Sequence, residues 1–176
     1  IFSSLYSDLN TAIAQLKLRL RTTQQEFLNT LDVLTVNIEN LDGEALINNW
    51  RFLVGEDMSP ILITLAGDMF LKSRDRTVSL LRTMSGQLDL VADTYEKFQP
   101  KLADSELVEF WFNAELIEEL RQDGTALNTD ELYGFRRSTG GYCFDNFEPW
   151  NVETHFDSSG CIHSNYSKER TNPRSR

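Results

Sequence analysis

The chain has 176 residues, 40% of them hydrophobic and 25% charged, with 27 acids against 17 bases for a formal net charge of −10. Its 11 Phe, 5 Tyr and 3 Trp supply a core, which excludes a largely disordered chain. The negative charge argues against direct binding of nucleic acid or of an anionic membrane surface, both of which call for a basic face, and no apolar run is long enough to span a bilayer.

Leu5, Leu9, Ile13, Leu16 and Leu20 recur at helical spacing, so residues 1–22 are expected to form an amphipathic helix that packs on its own domain or pairs with a second copy. The opening residues lack an initiator Met and a basic stretch, unlike a signal peptide. Thr23-Gln24-Gln25-Glu26 has capping-box spacing ahead of Phe27, Leu28 and Leu31, where a helix restarts or bends. Asp42 is a candidate N-cap for a short helix over Glu44–Trp50 that ends near Gly55. The period then becomes that of strands. Ile61–Leu65, Met69–Leu71, Thr77–Leu81 and Leu88–Val91, divided by turns at Gly67, Ser73–Arg76 and Ser85-Gly86, predict an antiparallel meander.

Helical spacing returns after Thr94 with Tyr95, Phe98 and Leu102, and Pro100 predicts a break near Gln99. A single helix is expected over residues 104–122, burying Leu107, Val108, Trp111, Phe112, Leu116, Ile117 and Leu120 and closing at Asp123-Gly124. A strand at Leu132–Arg136 and a Gly140-Gly141 loop follow. Beyond them a hairpin is predicted to pair Val152–Asp157 with Cys161–Tyr166 across Ser158-Ser159-Gly160. The expected fold class is α+β, a mostly antiparallel sheet (central meander plus C-terminal hairpin) packed with helices. The expected organisation is an N-terminal amphipathic helix over residues 1–22, an α+β domain over 23–166 and a polar tail over 167–176. Trp50, Phe70, Phe98, Trp111, Phe112 and Phe135 fall on the apolar phase of their elements and are the expected core aromatics.

Chemical motifs are sparse. The chain has no G-x-S-x-G elbow, Walker A loop or G-x-G-x-x-G, and its only histidines are His155 and His163. Cys143, His155, Cys161 and His163 make a Cys₂His₂ inventory, and Cys161 and His163 would share one face of the predicted strand, yet neither half has the spacing of a structural zinc site. No catalytic residue, metal or cofactor is therefore expected. Cys143 and Cys161 are either reduced thiols or one disulfide.

Carboxylates are the conspicuous polar feature. Between Asp93 and Asp123 nine acids face three bases, and Glu115, Glu118 and Glu119 share a helix face at i, i+3 and i+4. This is either a solvated face or a docking surface that steers a basic partner. The candidate partner-binding residues are Asp104, Glu109, Glu115, Glu118, Glu119 and Asp123. The alternative contact region is the Gly140–Pro149 loop with Tyr142, Phe144 and Phe147.

Several motifs stand in a recognisable order: Pro60 to Leu71 with its central Gly67-Asp68, Val91 to Phe98, Glu109-Phe110-Trp111, and Tyr133-Gly134-Phe135. Gly140-Gly141-Tyr142, Asn146-Phe147-Glu148-Pro149, His155-Phe156 and Gly160-Cys161-Ile162-His163 complete the string. Over roughly residues 23–165 it resembles the DUF1851 family, which is related to the C-terminal domain of type VI secretion immunity proteins. The tail Ser167–Arg176 differs from that family's usual ending, and the Leu-striped helix over residues 4–21 lies outside the likeness. The resemblance implies a bacterial, cytoplasmic, non-enzymatic protein without cofactor that binds a cognate toxin, often a nuclease with a basic surface, and blocks it stoichiometrically. Two alternatives stand beside it: an enzyme using His155 or His163, and a structural module that self-associates through residues 1–22.

Overall fold

The computed structural model describes residues 31–136 and 146–171. The chain divides into two units, Ile1–Val33 and Leu34–Arg176, and every element numbered here lies in the second. The expected N-terminal helix, the capping box at Thr23, Tyr142, Cys143, Phe144 and the tail beyond Thr171 lie outside the described residues.

Asp42 caps α1 (Gly43–Ile47), its carboxylate accepting from the N–H groups of Glu44 at 3.1 Å and Ala45 at 3.3 Å. A 3₁₀ turn (Asn48–Trp50) and α2 (Arg51–Val54) continue the path to Gly55, whose φ of +71° ends it. The predicted meander is present. β1 (Met58–Ile63), β2 (Met69–Ser73), β3 (Val78–Arg82) and β4 (Gln87–Ala92) pair antiparallel in sequence order. Met69, Phe70 and Leu71 are consecutive and all fully buried, so both faces of the sheet are covered at β2.

Thr94 caps α3 (Tyr95–Lys101), which runs through Pro100 instead of breaking near Gln99. Pro100 stands in the last turn of a short helix, where a single i→i−4 bond is lost and the Leu102 N–H closes on Gln99 O at 3.2 Å. The single helix expected over 104–122 is two, α4 (Ser105–Phe112) and α5 (Ala114–Gln122). Between them Asn113 takes the left-handed conformation, φ 50° and ψ 52°, which asparagine tolerates better than most residues. Phe70 is the centre of the aromatic core, with ring centroids of Phe98 at 5.0 Å and of Trp111 and Phe112 at 5.6 Å. Five of the six expected core aromatics are buried; Phe135 is only half-buried.

The C-terminal hairpin is the main correction. β5 (Glu131–Phe135) pairs antiparallel with β6 (Phe147–Asn151), and the chain then forms one helix, α6 (Val152–Thr171), where the hairpin and the start of the polar tail were expected. Ser158-Ser159-Gly160 makes no turn. Val152, Phe156 and Gly160 are spaced by four and all buried. A Cβ on Gly160 would lie 2.7 Å from Asn49 Cβ and 3.0 Å from Trp50 Nε1, so glycine lets α6 press onto the 3₁₀ turn. Trp50 Nε1 donates across that contact to Phe156 O at 3.0 Å. No helix among the described residues is long and apolar enough to cross a membrane.

Candidate functional site

The end of the main sheet where β1 turns into β2 and β3 into β4 gathers most of the buried polar groups. Thr64 and Asp68 close the first turn reciprocally: Thr64 N–H donates to Asp68 O at 2.8 Å, and Asp68 N–H donates to Thr64 Oγ1 at 3.0 Å. Gly67 between them has φ +88°, and a Cβ there would lie 2.7 Å from His155 Nε2. The second turn docks on the first. Thr83 N–H donates to Asp68 Oδ1 at 3.0 Å, and Thr83 Oγ1 donates to Gly67 O at 2.8 Å.

α6 clasps both turns. His155 Nε2 lies 3.0 Å from Gly67 O and His163 Nε2 lies 3.0 Å from Thr83 O. A carbonyl oxygen only accepts, so each Nε2 carries the proton and donates. The two histidines are eight residues apart, about two helical turns, and so reach the same side of α6. Cys161 is exposed on this helix, and two residues of helix place it well away from the direction of His163, which corrects the expected shared strand face. Among the described residues no group of three or more His, Cys, Asp or Glu could hold a metal ion.

Beside the clasp lies a cleft of about 330 Å³, bordered by Asp68, Arg82, Met84, Phe110, Phe135 and Phe147. Asp68 is 7% exposed. Burial pushes its carboxyl up to about 6, the Thr83 N–H and the Arg82 guanidinium only partly opposing that rise. Its Oδ2 meets Arg82 Nη1 at 3.6 Å, beyond hydrogen-bond distance. Arg82 is held from two further sides: Nε donates to Asp89 Oδ2 at 3.1 Å, and the guanidinium lies 4.7 Å from the ring centroid of Phe110. Phe110 is 64% exposed although its neighbour Trp111 is buried. A second concavity of about 540 Å³ lies between Leu65, Arg121, Tyr133 and the Gly124–Thr129 loop, where Tyr133 OH donates to Thr125 O at 2.8 Å and burial raises the phenol.

The acids singled out in the sequence divide by role. Asp104 is the N-cap of α4, accepting from the N–H groups of Glu106 at 3.0 Å and Leu107 at 3.2 Å. Glu109 reaches across Asn113 to accept from Glu115 N–H at 3.0 Å, satisfying the start of α5. Glu115, Glu118 and Glu119 do share α5 and are exposed, Glu118 accepting from Gln122 Nε2 at 2.9 Å, and Asp123 is exposed at its end. Among the described residues none of these three glutamates enters an ion pair. Phe147, expected as an exposed loop contact, is half-buried in β6 with its ring edge-on to Phe135 at 5.5 Å.

Asp68, Arg82, Thr83 and Phe110 were not singled out as site residues. Thr64 and Asp68 around Gly67 carried the available signal, a hydroxyl and a carboxylate bracketing a tight turn. No protein-family model matches the chain, and no curated protein matches it.

Proposed function

We propose that the protein is a binding module that neutralises a cognate secreted toxin by stoichiometric blocking, the toxin presenting a basic surface such as that of a nuclease. The carrying observation is the exposed row of Glu115, Glu118 and Glu119, unpaired with any base among the described residues and fixed on a helix whose apolar side, Ile117 and Leu120, is buried. Such a row adds long-range attraction for a cationic partner. The resemblance of the ordered motifs to the DUF1851 family points the same way. An enzymatic use of His155 or His163 is less favoured, since the Nε2 of each is engaged by a main-chain carbonyl.

The test is capture of the product of the neighbouring gene, followed by association kinetics across a salt series. Reversing Glu115, Glu118 and Glu119 to Lys should slow association about 10-fold or more at low salt and flatten its salt dependence. Fold stability should change by less than ~1 kcal/mol. An association rate indifferent to the reversal removes α5 from the interface.

A further inference from the structure

The cleft beside Asp68 combines features that the clasp alone does not require. Three phenylalanines, Phe110, Phe135 and Phe147, border a space with a buried carboxylate at its wall. Asp68 Oδ1 is satisfied by Thr83 N–H at 3.0 Å, while among the described residues the donor nearest Oδ2 is the Arg82 guanidinium at 3.6 Å. Arg82 is itself shared with Asp89 at 3.1 Å. Two carboxylates thus face one guanidinium, leaving the site one negative charge when Asp68 is ionised. Aromatic faces attract cations, and a desolvated carboxylate gains most from one.

We infer that the cleft bordered by Asp68, Phe110, Phe135 and Phe147 binds one guanidinium side chain, an arginine presented by the basic protein partner. The inference rests on the toxin-binding reading for the partner, while the chemistry of the cleft stands by itself. A volume of about 330 Å³ is at the low end of ligand pockets, suited to one side chain rather than a nucleotide or a large cofactor. A planar guanidinium matches the site better than an ammonium, since it stacks on a phenyl ring while donating to carboxylate oxygen. Arg82 already demonstrates that geometry on Phe110. Anions are disfavoured, because among the described residues the one Arg or Lys bordering the cleft, Arg82, is held by Asp68 and Asp89.

Binding should also be linked to pH. The groups facing Asp68 are Arg82 of β3, Asp89 of β4 through Arg82, and His155 of α6 across Thr83. The incoming cation favours the ionised carboxylate, so affinity falls as Asp68 takes up its proton near pH 6. If only the ionised form binds, apparent affinity is about tenfold lower one pH unit below that value.

The experiment uses the full chain with ¹³C-methyl methionine, whose three signals report Met84 at the cleft, Met69 in the core and Met58 on β1. The probe is N-acetyl-arginine amide, with the neutral N-acetyl-citrulline amide as its isostere. The arginine probe should move the Met84 signal saturably and leave Met69 in place, while the citrulline probe should leave both unmoved. Asp68→Asn keeps an acceptor for Thr83 N–H and should weaken binding about tenfold and abolish its pH dependence. Phe110→Ala, at an exposed position, should weaken it severalfold with the fold intact. Equal response to both probes, no response at Met84, or undiminished binding in Asp68→Asn overturns the inference. Because the probe is a small molecule, this result is independent of whether any toxin is captured.

Discussion

Gly160→Ala sets two effects of opposite sign against each other. In an exposed helix interior the change stabilises by about 1 kcal/mol, because alanine is that much the better helix former. Gly160 is instead buried on the 3₁₀ turn, where the new methyl would lie 2.7 Å from Asn49 Cβ, 3.0 Å from the Asn49 carbonyl carbon and 3.0 Å from Trp50 Nε1. Main chain at Asn49 has no rotamer to escape into, so α6 must move outward, and overpacking of this kind costs roughly 1–3 kcal/mol. The movement also strains the buried bond from Trp50 Nε1 to Phe156 O, now 3.0 Å, a further contribution of about 1 kcal/mol. The balance is a destabilisation of about 1–3 kcal/mol. Urea unfolding followed by tryptophan fluorescence measures it, and a thermal scan should show a Tm lowered by about 2–4 °C for each kcal/mol. Cys161→Ala, exposed on the same helix, is the control and should be neutral or stabilise by a few tenths of a kcal/mol. If Gly160→Ala behaves like that control, or exceeds the wild type in stability, the close seating of α6 on Trp50 is refuted.

Truncating Trp111 to Ala should cost on the order of 3–5 kcal/mol, because the ring is 6% exposed and packs on Phe70 and Phe98; a loss below about 1 kcal/mol in urea unfolding would contradict its place in the core. Asp68 should impose a pH dependence on stability. Its carboxyl is near 6 in the fold against 3.8 ordinarily, so the folded state holds the proton more tightly. The resulting stabilisation is complete below about 3.8 and lost as pH rises through about 6. Between about pH 7.5 and about pH 4.5 the wild type should gain about 2 kcal/mol relative to Asp68→Asn. Parallel pH profiles of the two proteins in denaturant unfolding would rule this out.

Local chemistry was legible in the chain wherever neighbours in sequence decide structure. Asp42 caps its helix as expected, because a short oxygen-bearing side chain ahead of a helical run satisfies free N–H groups whatever lies further off. The same chemistry makes caps of Thr94 and of Asp104, the latter expected from the sequence as a docking acid. The meander was legible for a similar reason, since apolar runs separated by turn residues at Gly67, Ser73–Arg76 and Gly86 pair with the strand next in sequence. The glutamate row on α5 followed from helical spacing alone. Asn113 shows the limit of that reasoning, because apolar periodicity continues across a break that a single left-handed residue introduces.

The structure of residues 152–171 depended on a surface contributed from far away. Val152, His155, Phe156, Gly160 and His163 do recur at helical spacing, but that stripe contains two histidines and a glycine, which carry little apolar signal. Its meaning comes from Asn49 and Trp50, against which only glycine fits, and from the Gly67 and Thr83 carbonyls that the histidines reach. The cleft has the same origin. Asp68 and Phe110 are ordinary residues in the sequence, a turn aspartate and a helix phenylalanine. One becomes a buried carboxylate with its pKa pushed to about 6, and the other an exposed ring over a guanidinium. Capping and strand alternation are short-range effects written into adjacent residues, whereas desolvation and close approach depend on which distant segments fold together, and only the tertiary structure settles those.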